Sequence, residues 1–71
     1  MRTITVWPSG RSGYRFALRF GYDPDLVQAI KRNVPSYERT YDKRAREWHI
    51  TAAAWPKVQR IAAQLGAVLI T

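Results

Sequence analysis

Apolar and polar positions alternate most plainly at Tyr14, Phe16, Leu18 and Phe20, which are separated by Arg15, Ala17 and Arg19. A period of two sends successive side chains to opposite faces of an extended strand, so this segment predicts a strand with an aromatic core face and a basic outer face. Thr3 to Trp7 repeats the pattern with Ile4 and Val6 between threonines, and predicts a second half-buried strand that ends at Trp7-Pro8. The intervening Pro8-Ser9-Gly10-Arg11-Ser12-Gly13 has turn-forming residues and no apolar anchor, so the two strands form a hairpin.

After Gly21-Tyr22 the period changes. Asp23-Pro24-Asp25 supplies a capping acceptor, a proline at the first helical position and an acid in the first turn, which together start a helix. Leu26, Val27 and Ile30 fall on one side of it, Lys31 and Arg32 occupy its last turn, and Asn33-Val34-Pro35 ends it. Tyr37 to Asp42 then reads as a short strand, Lys43-Arg44-Ala45-Arg46 as a tight basic turn, and Glu47 to Thr51 as the returning strand with Trp48 and Ile50 inward. Ala52 to Leu65 predicts a second helix, regular from about Ala54 because Pro56 is tolerated only in the first turn. Its core stripe is Val58, Ile61, Ala62 and Leu65, Gly66 caps it, and Ala67 to Ile70 is β-branched enough for a last strand.

The order ββαββα(β) predicts an α+β fold: a two-layer sandwich with both helices packed on one face of a mainly antiparallel sheet. The other face is expected to be open and to display Arg15 and Arg19. With 71 residues the chain is expected to be a single domain spanning 1–71, since a second core would leave each half too small to offset its ordering entropy.

Charge sharpens the functional expectation. Twelve Lys and Arg against five Asp and Glu give a net charge of +7, which attracts polyanions: nucleic acid first, with acidic proteins and anionic lipids also eligible. The absence of cysteine excludes disulfides, thiolate zinc sites and cysteine nucleophiles. His49 is the only histidine, Asp23 and Asp25 are accounted for by the helix start, and no GxxxxGK[ST] phosphate loop occurs, so no enzyme, catalytic residue, metal or cofactor is expected. MRTITVWPSG lacks the apolar run of a signal peptide and no segment reaches the roughly 20 apolar residues of a membrane span. The expectation is therefore a cytoplasmic protein.

From Phe16 to Leu65, the succession Phe16-Ala17-Leu18, Tyr22, Leu26-Val27, Ile30-Lys31, Pro35, Arg39, Tyr41-Asp42, Arg46, Trp48 and Ile50 resembles the HARP (HepA-related protein) domain found beside annealing helicases. The resemblance covers roughly two-thirds of the chain and is most specific between Ile30 and Trp48. It implies a HARP-like module that recognises DNA with forked or single-strand/duplex junction character; whether a free-standing copy acts alone, joins a larger complex or is a bacterial, phage or mobile-element accessory protein is left open by the sequence. The helicase motor is not in this sequence.

Candidate nucleic-acid contacts are Arg39, Lys43, Arg44 and Arg46 on and around the second hairpin, Lys31 and Arg32 at the helix end, and Arg15 and Arg19 on the outer strand face. Phosphate contact requires several cations spaced along a charged backbone, and arginine adds a bidentate fork. The second helix exposes Lys57, Gln59, Arg60 and Gln64, which is no pattern for reading bases in a groove. Trp48 alternates in phase with Ile50 and belongs to the core, Asp42 caps the basic turn, and Trp55 packs beneath the second helix. The expected partner is nucleic acid, DNA ahead of RNA, with no membrane or small-molecule substrate. The alternative is a protein-interaction factor that docks on an acidic partner, or forms a homodimer or larger complex through the strand at Ala67 to Ile70.

Overall fold

The computed structural model describes residues 2–71. Its elements are β1 (Arg2–Pro8), β2 (Phe16–Arg19), α1 (Pro24–Asn33), β3 (Arg39–Asp42), β4 (Glu47–Ile50), α2 (Trp55–Leu65) and β5 (Ala67–Ile70). The strands form one sheet in the order β3-β4-β2-β1-β5. All neighbours are antiparallel except β1 and β5, because α2 carries the chain across to lay β5 alongside β1 in the same direction. The predicted α+β sandwich is the fold observed.

Cross-strand register sorts the side chains. Val6 lies opposite Leu18, Leu18 opposite Trp48, and Phe16 opposite Ile50, so one face carries the apolar set. Leu26 and Ile30 from α1 and Val58 and Ile61 from α2 complete a single core over that face. Asp23 caps α1 by accepting from the backbone N–H groups of Asp25 and Leu26 at 3.1 and 3.3 Å. Gly66 ends α2 at φ 67, a left-handed position that glycine takes without steric cost.

Several boundaries differ from expectation: β2 ends at Arg19, leaving Phe20 outside it, and β4 ends at Ile50, leaving out Thr51. Tyr37 does not belong to β3. Pro35 lies just before a single 3-10 turn, Ser36–Glu38, closed by the Glu38 N–H donating to Pro35 O at 2.9 Å, and β3 begins only at Arg39. Tyr14 and Arg15 precede β2, because Gly13 at φ 87 is still turning and Tyr14 N–H donates back to Arg11 O at 3.1 Å. Ala52–Ala54 forms a 3-10 turn leading into α2.

The second face of the sheet is open over Thr3, Thr5 and Arg19, as alternation suggests, but not throughout. Ala17 and His49 sit on it, yet their exposures are 0% and 5%. The Ser9–Tyr14 loop covers them: Ser9 Oγ and His49 Nδ1 share a hydrogen bond of 2.7 Å, and the Tyr14 ring meets His49 edge-on. Period-two alternation shows which face a residue is on, and a loop folding back over that face leaves no mark in the alternation.

Candidate functional site

The β3–β4 connection is a four-residue turn, Lys43 to Arg46, between the paired Asp42 and Glu47. Asp42 Oδ1 organises it by accepting from Arg44 N–H at 3.0 Å and Ala45 N–H at 3.2 Å. These donors, Ala45 foremost, hold the Asp42 carboxyl below its ordinary pKa, with Arg11 adding to the effect. The turn closes at Arg46 with φ 55, the one non-glycine residue among those described with a left-handed backbone.

A groove of about 620 Å³ lies between α1 and this hairpin, with the β2–α1 corner as its third wall. Phe20, Val27 and the buried Trp48 supply its apolar lining. Tyr41 rests against Trp48 with ring centroids 5.0 Å apart, and Tyr22 stands 88% exposed. Lys31 enters from the last turn of α1, Arg39 from the start of β3 and Arg46 from the turn, and among the described residues no carboxylate lines the groove. Arg39 has two duties: its Nε donates to Val34 O at 2.8 Å, tying the end of α1 to β3, while its terminal nitrogens have no protein partner among the described residues.

A second, more open groove of about 470 Å³ shares Phe20, Gly21 and Arg46 with the first. Its other walls are Thr3, Thr5, Arg19 and Arg44. Arg19 is held there by donating to Ala45 O at 2.9 Å, by Glu47 at 3.6 Å and by the Trp7 ring at 5.5 Å from its guanidinium carbon. Arg46 therefore bridges two basic grooves, one on each side of the β2–α1 corner.

The expected residues divide accordingly. Lys31, Arg39 and Arg46 meet in the first groove, and Arg19, Arg44 and Arg46 in the second. Lys43 and Arg32 are exposed next to Arg44 and Lys31 and line neither groove. Arg15 is exposed just before β2, beyond the end of β4, and lines neither groove. Tyr22, Thr3 and Thr5 were not singled out as site residues by the sequence. An aromatic between a glycine and an Asp-Pro helix start signals only a corner, and its exposure depends on packing.

Asp42, Glu47 and His49 bring three potential ligand atoms within 4.8 Å of one another. Their bonds are already committed inside the protein: Asp42 to the turn and to Arg11 at 3.8 Å, Glu47 to Arg19, and His49 to Ser9 and to Glu47 at 3.4 Å. The arrangement pins the Ser9–Tyr14 loop to the sheet.

Comparison of the chain with models of known protein families, with curated proteins and with solved structures gives no match, so the resemblance to the HARP domain stands on the residues quoted for it. No helix among the described residues is long and apolar enough to cross a membrane.

Proposed function

We propose that this chain is a non-enzymatic module that binds nucleic acid through the phosphate backbone, with DNA of forked or single-strand/duplex junction character as its target. One observation carries the reading: Lys31, Arg39, Arg44 and Arg46 line two grooves that share a wall, and among the described residues none of the four has a carboxylate partner. The acids are engaged elsewhere, Asp23 and Asp25 with Arg2, Asp42 with Arg11, Glu47 with Arg19 and Glu38 with Lys57. Unpaired cations on a common surface retain their full field for an external anion and release counterions when a phosphate backbone replaces the salt atmosphere. The junction preference rests on the HARP resemblance.

Substituting Lys31, Arg44 and Arg46 together by alanine tests the reading. All three are exposed and none makes a side-chain hydrogen bond among the described residues, so the variant is expected to fold as the parent does. Binding to a forked DNA at low salt is expected to fall by tenfold or more, and binding equal to the parent's would remove these grooves from the function. Arg39 is left in place because its loss would also free Val34 O.

A second reading draws on β5, which forms one edge of the sheet with Val68 and Ile70 exposed at 44% and 48%. An unpaired edge with apolar side chains invites strand addition by a protein partner or a second copy. A chain that sediments as a dimer and leaves every nucleic acid unbound would favour it.

A further inference from the structure

The proposed function needs only phosphates, yet the larger groove contains more than cations. Tyr41 is 44% exposed although it lies in a strand, and Tyr22 is 88% exposed at the same groove. A single exposed aromatic is ordinary on a protein surface, but two lining one groove with Phe20, Val27 and Trp48 gather apolar surface of the kind that marks a binding site. Tyr41 is not free to collapse inward, because the buried Trp48 already fills the space beneath it at 5.0 Å between ring centroids. The result is a fixed aromatic surface with a second aromatic nearby. Lys31, Arg39 and Arg46 surround it and, among the described residues, no acid lines it.

We infer that this groove receives one unpaired nucleobase together with its phosphate, in DNA or RNA. The inference rests on the nucleic-acid reading and narrows it to strands whose bases are unstacked. A flat heteroaromatic ring presents a π-face to Tyr41 or Tyr22, while the adjacent phosphate meets the three cations; stacking of this kind tolerates any base. The volume of about 620 Å³ lies within the range that encloses small-molecule-sized groups. A duplex cannot use the groove without extruding a base, since its π-faces are covered by neighbours. An acidic peptide would satisfy the cations and leave the tyrosines exposed. The strand's next phosphate then falls towards the second groove, reached over Phe20, Gly21 and Arg46, where Arg19, Arg44 and the hydroxyls of Thr3 and Thr5 lie.

The test compares short thymidine and uridine oligonucleotides with an abasic oligonucleotide of the same length and charge, a blunt duplex and a polyglutamate, by fluorescence anisotropy at low salt. Base-bearing single strands are expected to bind about tenfold tighter than the abasic strand, in keeping with the contribution of one stacked base. A deoxyuridine oligonucleotide set against the uridine one, from which it differs only in lacking the 2′-hydroxyl, then tells which sugar the site accepts. Tyr22→Ala, at a position too exposed to affect folding, combined with Tyr41→Leu, which keeps apolar cover on Trp48, is expected to bring the base-to-abasic ratio close to one. Equal affinity for base-bearing and abasic strands, or a ratio unchanged in the double variant, overturns the inference and leaves the phosphate reading intact. Failure of every strand to bind, or equal affinity for polyglutamate, overturns both.

Discussion

Arg46 shows most directly how a single residue joins structure to the proposed role. Its φ of 55 places an L-residue with a Cβ in the left-handed region, at a cost of roughly 1 kcal/mol that glycine would avoid. Strain of this kind is tolerated where the surroundings fix it, and here Asp42 fixes the preceding turn through two backbone N–H groups. Arg46→Gly is therefore expected to raise stability by about 0.5–1 kcal/mol and to weaken nucleic-acid binding, opposite signs that thermal melting and a binding titration would resolve. A variant that melts lower than the parent would show that the arginine side chain contributes to the fold itself. The Asp42 cap was legible in the sequence, since aspartate before a run of turn residues accepts from the backbone two and three positions on. The strained backbone was not, because the same four residues fit several turn types.

At the scale of elements, Arg2 does what no periodicity suggests. It begins β1 on the helix side of the sheet, in register with Ala67, and its guanidinium reaches both helices: Nε to Asp23 at 2.9 Å, one terminal nitrogen to Asp25 at 2.7 Å and the other to Leu65 O at 3.0 Å. The start of α1 and the end of α2 are thereby held by one side chain. The guanidinium is about one-third exposed, so water screens the ion pairs, and Arg2→Ala is expected to cost about 1 kcal/mol. In a domain of this size that lowers the melting temperature by about 4–8 °C, readable by circular dichroism. No shift would mean that the three contacts contribute nothing net. Helix starts, helix stripes and both hairpins were readable because each depends on local spacing. The cover over Ala17 and His49 was not, since it depends on Ser9 meeting a residue forty positions away.

At the scale of the whole molecule, what matters is how a net charge of +7 is distributed. Charge counting gives the excess but not its location, and the location is set by the five carboxylates. Paired with Arg2, Arg11, Arg19 and Lys57, they leave the hairpin turn, the start of β3 and the end of α1 as cationic surface. The cluster around Arg39, Arg44 and Arg46 was within reach of sequence reasoning because the hairpin brings neighbours together. Lys31 and Arg19 were also candidates in the sequence, but that they meet Arg46 in two adjoining grooves while Arg15 lines neither was not legible, because it depends on topology that places the end of α1 and the end of β2 at the same corner. The central claim is that this corner works as one polyanion-binding surface. Its most direct test is the dependence of DNA affinity on salt concentration. Contact with about five phosphates predicts a log–log slope near −4 to −5, at roughly −0.9 per contact, and a slope near zero would contradict the account.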